Sequence, residues 1–199
     1  MPRSGMDLNP SRSDGALPRA SARVLIAPSP FRDDTITIHS SLFINIRGNV
    51  MDQESYMQQA LALAREAGEA GEVPVGCVVV DAEGRIVGRG RNRRQEDSDA
   101  TAHAEIEAIR QACRTLGDWR LEGCTLTVTL EPCPMCAGAI INARIPTVIY
   151  GAREPLSGSC GSVIDLFFER YGHQPRVYAG VLETDCAALL RNFFRDKRI

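Results

Sequence analysis

The chain has 199 residues, of which 44% are hydrophobic, and its 23 lysines and arginines are nearly balanced by 25 acidic residues. This length suits a single domain with an appendage. The net charge of −2 excludes a protein that binds nucleic acid by overall charge, although it allows a local basic surface. No apolar run is long enough to cross a membrane.

The first fifty residues differ in composition from the rest. Residues 1–23 are rich in Ser, Arg, Pro and Asp, and we expect residues 1–50 to be a disordered extension. The weak alternation of residues 35–50 favours either an isolated strand or no stable structure. The early apolar core of a signal peptide is absent. We expect Met51 to be the natural start, the alternative being a genuine flexible tail.

Helical and strand patterns alternate from Gln53 onward. An amphipathic helix is predicted over residues 53–69, followed by a hairpin with strands at residues 75–80 and 85–91. The later elements are a helix over residues 102–116, a strand over 125–130, a helix over 132–142, a strand over 147–151, a short helix over 163–170, a strand over 176–181 and a helix over 183–197. The strands on either side of the 132–142 helix form a parallel, right-handed βαβ unit. The pattern predicts an α/β domain with three layers, α/β/α, around a five-stranded mixed sheet.

Two short motifs supply three metal-binding side chains and one additional carboxylate. His103, Cys133 and Cys136 offer three ligands to zinc, which leaves a fourth position open for water, as catalytic zinc sites do. Zinc lowers the pKa of that water from about 15.7 to roughly 7. Glu105 is the candidate general acid and base beside it. Alone, the two cysteines also fit a redox pair and the His-x-Glu motif also fits an ordinary surface, but together the motifs favour catalytic zinc.

Both motifs are predicted to lie at helix starts. His103 and Glu105 fall in the first turn of one predicted helix, where they point about 200° apart, so both approach one ion only near the helix end. Pro132 suits the first position of the next helix. The spacing of three places the sulfurs of Cys133 and Cys136 on one face of its opening turn. The partial positive charge of two helix N-termini favours both cysteines as thiolates.

These motifs and their surroundings resemble those of zinc nucleobase deaminases, whose signature is H-x-E…P-C-x-x-C. Over residues 56–198 the chain is more specifically similar to bacterial tRNA-specific adenosine deaminase. The matching segments are residues 72–76, 90–93, 101–106, 128–139, 150–153 and 183–194. The run Glu-Pro-Cys-x-Met-Cys-Ala-Gly-Ala and the Phe-Phe-Arg of the last helix are the most particular of them.

The resemblance implies a cytidine-deaminase-like fold over residues 51–199. It also implies hydrolytic conversion of adenosine to inosine at the wobble position of a tRNA anticodon, by a homodimer with one zinc ion per subunit. Under this interpretation Glu105 carries protons, and Asn92 fixes the target nucleoside, unless it is only a turn residue. The resemblance also implies that Pro74, Val75 and Gly76 line the pocket and that Ala104 and Glu131 contact the base through backbone groups. Glu154 is expected to bind a ribose hydroxyl. Phe193 and Phe194 are candidates to stack on anticodon bases, although we expect one of the two to belong to the core instead.

The cysteine count and the basic clusters fit that interpretation. Seven cysteines, an odd number, without a secretory signal indicate a reducing cytoplasm. Two basic clusters are candidate phosphate contacts for the anticodon stem-loop, although such clusters are also typical of solvated faces. The first contains Arg89, Arg91, Arg93 and Arg94, and the second contains Arg191, Arg195, Lys197 and Arg198.

The chain departs from the family pattern at one place, and two alternative functions remain open. Glu154-Pro155-Leu156 stands where the family usually has Asp, then Pro or Ala, then Lys, so one possible phosphate contact is lost. The first alternative is a zinc deaminase of a free base or nucleotide, of guanine or cytosine type, which needs no Arg-rich C-terminal helix. The second is a non-catalytic zinc-binding scaffold, against which the retained Glu105 speaks.

Overall fold

A computed structural model of the protein describes residues 42–44 and 50–196, with side chains over residues 53–195. Strands β1 (Leu42–Ile44) and β2 (Val50–Asp52) pair in antiparallel orientation as a separate two-stranded sheet. The remainder of the extension that we expect to be disordered, residues 1–41 and 45–49, lies outside the described residues. Lys197 and Arg198 of the second basic cluster lie outside them as well.

Five strands form one mixed sheet, as the sequence predicts. They are β3 (Gly76–Val80), β4 (Ile86–Arg91), β5 (Thr125–Leu130), β6 (Thr147–Ala152) and β7 (Arg176–Ala179), in the spatial order β4-β3-β5-β6-β7. Strand β3 is antiparallel to β4 and β5, whereas β5, β6 and β7 are parallel to one another. The parallel β5–β6 pair confirms the predicted βαβ unit.

Four helices cover the two faces of this sheet. They are α1 (Gln53–Glu69), α2 (Ala104–Leu116), α3 (Pro134–Asn142) and α4 (Glu183–Asp196). Strand β6 is buried on both sides, because Val148 and Tyr150 join the core under α2 and α3 while Ile149 joins the core under α1 and α4. This period of two is what a strand between two helical layers requires. The predicted α/β/α arrangement is therefore confirmed.

Helix α2 lies unusually close to β4, because two glycines of that strand face it. A Cβ atom on Gly90 would collide with the carbonyl oxygen of Ala104 and lie 2.6 Å from the nitrogen of Ala108. A Cβ atom on Gly88 would collide with the carbonyl oxygen of Ala108. Glycine inside a strand often marks such a close approach of another backbone. The two glycines thereby fix the height of the first turn of α2 above the sheet.

Two predicted helix starts are wrong by two residues. Helix α2 begins at Ala104 rather than at residue 102, and α3 begins at Pro134 rather than at residue 132. Proline still occupies the first turn of α3, but it is Pro134 and not Pro132. The local sequence did not reveal the start of α2 because the first backbone N–H of this helix is capped by Asn92, twelve residues earlier in the chain.

The predicted helix over residues 163–170 is also wrong. Only a single 3-10 turn forms there, at Leu166–Phe168, where the Asp165 carboxylate accepts hydrogen bonds from the backbone N–H groups of Phe167 and Phe168 at 3.2 Å. Val163 and Ile164 are exposed, so the segment has no buried stripe to stabilise a longer helix. Strand β7 likewise ends at Ala179, since Gly180 takes a left-handed conformation with φ of 86°.

Among the described residues, no helix combines the length and the apolar character that a membrane span requires.

Candidate zinc centre

His103 lies immediately before α2 rather than inside it. Its backbone is extended, with φ of −84° and ψ of 153°, and it occupies the N-cap position without forming a side-chain cap. The helical geometry that would separate His103 from Glu105 by about 200° therefore does not apply to this pair. The side chain of His103 is free to turn toward the end of the helix while Glu105 stays on its buried face.

Asn92, at the end of β4, supplies the missing cap for α2. Its Oδ1 accepts a hydrogen bond of 3.0 Å from the backbone N–H of Ala104, and its Nδ2 donates one of 3.0 Å to the carbonyl of Val73. The backbone N–H of Asn92 also donates to the carbonyl of Val75 at 3.1 Å. Asn92 is only 6% exposed. It therefore joins the start of β3, the end of β4 and the first turn of α2.

Cys133 and Cys136 lie at the start of α3. Cys133 is the N-cap, again with an extended backbone, and Cys136 lies three residues later in the first turn. The predicted placement of the two sulfurs on one face of the opening turn is thus retained, with the helix start moved to Pro134. Because α3 follows β5, this geometry delivers both cysteines to one end of the sheet.

The three predicted ligands converge. The Sγ atoms of Cys133 and Cys136 lie 3.7 Å and 3.6 Å from Nδ1 of His103, and all three ligand atoms lie within 4.8 Å of one another. A tetrahedral zinc ion with a Zn–N bond of about 2.0 Å and Zn–S bonds of about 2.3 Å separates nitrogen from sulfur by about 3.5 Å. The observed separations fit that ion without movement of the backbone. In the described part of the chain, no other cluster of three His, Cys, Asp or Glu side chains has such a geometry.

Glu105 is buried beside this centre and is only 4% exposed. Burial is the main cause that raises its pKa to about 7, and the charge of Cys133 acts in the same direction. Its charge in turn contributes to the raised pKa of the Cys77 thiol on β3, after the larger effect of burial. A carboxyl group with a pKa near neutrality can both accept and donate a proton under ordinary conditions.

The two cysteines shift each other's pKa in opposite directions. The hydrogen bond from Cys136 is the main cause that lowers the pKa of Cys133 to about 4, and His103 acts in the same direction. The same hydrogen bond, with burial, raises the pKa of Cys136. The side chain of Cys133 also raises the pKa of His103. Binding of a metal ion requires both cysteines as thiolates and the histidine as neutral, so it releases protons from this cluster.

Two further glutamates, Glu72 and Glu131, are buried and accept hydrogen bonds from loops. Oε1 of Glu72 accepts from the backbone N–H groups of Gln95 and Glu96 at 2.7 Å and 2.9 Å. These two residues belong to the segment that connects β4 to His103. Glu72 is 3% exposed and Glu131 is 2% exposed. The sequence did not reveal the role of Glu72, whose partners follow no motif.

Glu131 uses its side chain rather than only its backbone. Its two carboxylate oxygens accept four hydrogen bonds from the loop that follows β6. The donors are the backbone N–H groups of Glu154 at 3.1 Å, Cys160 at 2.9 Å and Ser162 at 3.1 Å, and the Ser162 hydroxyl. Burial disfavours the charged form of Glu131, but these hydrogen bonds outweigh burial and lower its pKa. Glu131 is therefore a stable carboxylate.

The predicted pocket-lining residues lie at the start of β3, but they face different ways. Val75 joins the core under α2 and α3 and is bonded to Asn92. Gly76 faces α1, because a Cβ atom there would lie 2.6 Å from the nitrogen of Ala64. Pro74 is buried between the Glu72 segment and β3. Of the three, Val75 has the most direct connection to the centre.

The remaining predicted substrate-binding residues lie farther along the chain. Oε1 of Glu154 accepts a hydrogen bond of 2.8 Å from the backbone N–H of Leu156. The rings of Phe193 and Phe194 on α4 meet edge to face, with centroids 5.4 Å apart. Phe193 is half-buried and Phe194 is 48% exposed. Of these two rings, Phe194 offers the larger surface to solvent.

The first basic cluster is partly neutralised within its own loop. Arg91 forms an ion pair with Glu96 at 2.9 Å, and Arg93 pairs with both Glu96 and Asp97. Arg94 is exposed, and no carboxylate of the described residues forms an ion pair with it. The positive charge of Arg94 acts to lower the pKa of His103, against the larger effect of Cys133.

Comparison with protein families gives one match that contains the whole centre. The model for the cytidine and deoxycytidylate deaminase zinc-binding region matches residues 50–152, which include Glu105 and the three ligands.

Curated relatives and a solved structure extend this similarity. The chain is 48% identical over 146 residues to the tRNA-specific adenosine deaminase of Bacillus subtilis, which covers 73% of this chain and 90% of that protein. It is 52% identical over 142 residues to the tRNA(Ile)-lysidine synthase of Deinococcus radiodurans, covering 71% of this chain but only 24% of that much longer protein. A structure from a study of A-to-I editing by tRNA:A34 deaminases aligns with a TM-score of 0.66 and 48% identity, covering 68% of this chain and 99% of that one.

Proposed function

The chain belongs to the cytidine and deoxycytidylate deaminase family, and from this premise we propose that it converts adenosine to inosine at the wobble position of a tRNA anticodon. The observation that carries the proposal is the buried Glu105 beside a three-ligand zinc centre. Three protein ligands are typical of catalytic rather than structural zinc. The choice of adenosine in tRNA rests on the similarity to named tRNA-specific adenosine deaminases.

His103, Cys133 and Cys136 hold the zinc ion in this proposal, and Glu105 moves the protons. When bound, zinc would act as a Lewis acid that makes water nucleophilic at neutral pH. Glu105 accepts a proton as water adds to C6 of adenine and delivers a proton to the ring nitrogen N1. A second proton then reaches the exocyclic amino group through Glu105, so that the C6–N bond breaks and ammonia leaves. The overall balance is adenosine plus water to inosine plus ammonia.

The substrate-binding roles follow from the same similarity. Asn92 orients the target nucleoside at the mouth of the centre, a role compatible with its place between β3, β4 and α2. Glu154 binds a ribose hydroxyl, and Phe194, with Phe193 behind it, stacks on an anticodon base. The other residues that we propose around the adenine are Pro74, Val75 and Gly76 as pocket lining and Ala104 and Glu131 through backbone groups.

Phosphate contacts are proposed for exposed arginines of the two basic clusters. Arg94 is the better candidate of the first cluster, because Arg91 and Arg93 already pair with acidic side chains. On α4, Arg191 and Arg195 are exposed on the same helix as Phe194. Arginine binds phosphate through a planar fork of donors and also stacks on bases.

We also propose that the enzyme acts as a homodimer in the cytoplasm. The support for a second subunit, besides the resemblance, is a run of large apolar side chains exposed between residues 163 and 171: Val163, Ile164, Phe168 and Tyr171. All seven cysteines are free thiols, which is compatible with a reducing compartment. Sedimentation equilibrium should give twice the chain mass of 21.7 kDa. A monomer mass across micromolar concentrations would contradict the dimer.

The decisive experiment compares substrates of different classes. The zinc-loaded protein is incubated with an unmodified tRNA transcript that carries adenosine at the wobble position, with the same transcript carrying guanosine there, and with free guanine and cytosine. We expect inosine at the wobble position of the first transcript alone. Digestion to nucleosides followed by chromatography detects it.

Each other outcome selects a different function. Turnover of guanine or cytosine without inosine in the tRNA would make the chain a deaminase of free bases. Absence of any turnover by zinc-loaded protein would leave a zinc-binding scaffold without deaminase activity, and would overturn the proposal.

A further inference from the structure

The loop that follows β6, residues 153–162, is held against the zinc centre. The backbone N–H of Ser159 donates a hydrogen bond of 2.9 Å to the carbonyl of Pro132, the residue before the ligand Cys133. Arg153, Leu156 and Ser157 point outward, and Leu156 is 88% exposed. The loop therefore presents a row of exposed side chains at the edge of the centre. We call residues 153–162 the 153–162 loop.

One buried carboxylate organises this loop. The Glu131 carboxylate accepts hydrogen bonds from three backbone N–H groups of the loop, those of Glu154, Cys160 and Ser162. It accepts a fourth from the Ser162 hydroxyl. The donors are separated by up to eight residues along the chain, so the carboxylate brings together both ends of the loop. The four bonds use both of its oxygens.

The middle of the loop also packs directly on this carboxylate. Gly158 leaves no room for a side chain, because a Cβ atom there would lie 2.5 Å from Cδ of Glu131 and 2.5 Å from the carbonyl oxygen of Glu154. The two ends of the loop and its middle thus all contact the Glu131 carboxyl group. These contacts add to the hydrogen bonds within the loop, which run from the backbone N–H groups of Gly158 and Leu156 to Glu154.

None of the hydrogen bonds of the Glu131 carboxylate goes to the zinc ligands. His103 contacts both Cys133 and Cys136. All four groups that donate hydrogen bonds to the Glu131 carboxylate lie in residues 154–162. In the described part of the chain, no cationic side chain forms an ion pair with Glu131 either. Its negative charge is stabilised by N–H and O–H donors, and hydrogen bonds to an ionised acceptor are about twice as strong as those between neutral groups.

We propose that Glu131 is a positioning residue whose carboxylate holds the 153–162 loop in the form that receives the RNA beside the zinc centre. This inference rests on the proposed function, because it names the surface through which the tRNA substrate is gripped. Glu131 acts through the loop and not on the reacting atoms. Its loss therefore weakens substrate binding more than it slows the chemical step.

Two substitutions test this proposal on the full zinc-loaded chain. E131Q keeps the shape of the side chain but replaces one acceptor oxygen by an NH2 group that cannot accept the N–H donors. S162A removes only the hydroxyl donor and keeps Glu131 charged. The matched control is S157A, which removes an exposed hydroxyl of the same loop that does not contact Glu131.

Hydrogen–deuterium exchange without substrate is the first measurement. We expect the amides of Glu154, Cys160 and Ser162 to exchange at least about 10-fold faster in E131Q and about 3-fold faster in S162A, because each loses buried hydrogen bonds. S157A should exchange as the unaltered chain does. Zinc content should stay at one ion per chain in all three variants.

Steady-state kinetics with a tRNA anticodon stem-loop is the second measurement. We expect KM to rise about 10-fold in E131Q and about 3-fold in S162A, with kcat within about 3-fold of the unaltered enzyme. Unchanged exchange of the loop, an equal effect of S157A and S162A, loss of zinc from E131Q, or a fall in kcat at constant KM would each overturn the proposal.

The two measurements separate this proposal from the function on which it rests. If the unaltered chain forms no inosine, the proposed function fails and the gripping role fails with it, whatever the exchange shows. If the unaltered chain is active and the loop exchanges faster without a change in KM, only the role of Glu131 fails. Should E131Q not fold, S162A answers the same question with Glu131 intact.

Discussion

Buried glutamates of this protein show how the same residue type acquires opposite properties. Burial raises the pKa of Glu105 to about 7, whereas four hydrogen bonds to Glu131 outweigh burial and lower its pKa. The difference lies in the burial of Glu105 and the nearby charge of Cys133 on one side, and in the four donors that Glu131 meets on the other. A group poised near neutrality suits proton transfer, and a permanently charged group suits the fixing of a loop.

The first prediction concerns Glu105. We expect E105Q to lower kcat by about 10²–10⁴-fold, because general acid–base catalysis contributes about that much, while the variant keeps one zinc ion per chain. Inosine formation under single-turnover conditions and atomic absorption measure the two quantities. E107Q is the matched control, since Glu107 lies on the same helix and pairs with Arg110 at the surface. An E105Q variant with more than a tenth of the original kcat would contradict the assigned role.

At the scale of elements, the centre depends on how closely α2 approaches the sheet. Gly88 and Gly90 of β4 let the backbone of α2 lie where a side chain would otherwise stand, and Asn92, the residue that follows the strand, caps the helix. Strand β4 and the residue after it thus set both the height and the starting point of the helix that carries Glu105. The ligand geometry is built as much by this strand, which contributes no ligand, as by the helices that do.

The second prediction tests this close approach. We expect G90A to push α2 away from the sheet, with a loss of about 2–4 kcal/mol in the free energy of unfolding and a weaker affinity for zinc, because the new methyl group meets backbone atoms that cannot move separately. Chemical denaturation and zinc titration measure the two effects.

G138A provides the control for that substitution. Gly138 lies in α3, where a Cβ atom would meet nothing within 4 Å, so the added methyl group should stabilise the helix by up to about 1 kcal/mol. Equal stability of G90A and the unaltered protein would show that α2 can shift without cost.

The sequence predicted most elements, and the three side chains that it singled out as ligands converge in the structure with Glu105 buried beside them, while the failures have identifiable causes. The repeating apolar stripe of α1 predicted both its ends, and the His-x-Glu and Cys-x-x-Cys spacings predicted a metal site. The starts of α2 and α3 were wrong because the residues preceding each helix are extended, and Asn92, twelve residues before Ala104, caps α2. The side-chain role of Glu131 could not be predicted, because its partners are mostly backbone N–H groups that any residue supplies.

At the scale of the whole molecule, the zinc centre connects two parts of the sheet. His103 follows the antiparallel β3–β4 hairpin, and Cys133 and Cys136 follow β5, which begins the parallel part. A metal ion bound to all three therefore links the hairpin and α2 to the βαβ unit. Since the unfolded chain does not hold the three ligands together, zinc affinity contributes to the stability of the fold.

The third prediction concerns removal of the metal. We expect a strong chelator to lower Tm by about 5–10 °C, because a ligand at 100 times its Kd stabilises the folded state by about 2.7 kcal/mol. A thiol reagent should then modify Cys133, which the metal otherwise protects. Calorimetry and mass spectrometry measure the two effects.

Two cysteine variants serve as comparisons for the chelator experiment. C136A should have the lower Tm from the outset and should not respond to the chelator, whereas C113A removes a half-buried thiol outside the centre and should respond as the unaltered protein does. A chelator response that persists in C136A would place the metal elsewhere.

The bonding of Glu131 has a consequence for how this enzyme can change over evolutionary time. Three of the four hydrogen bonds to its carboxylate come from main-chain amides of the loop, which do not depend on the side chains at those loop positions. Arg153, Leu156 and Ser157 can therefore be exchanged for other residues while the contour beneath them is preserved. If the loop receives RNA as we propose, variation in recognition is in this way uncoupled from variation in shape, and the outward positions of this segment are where laboratory selection for a different RNA should begin.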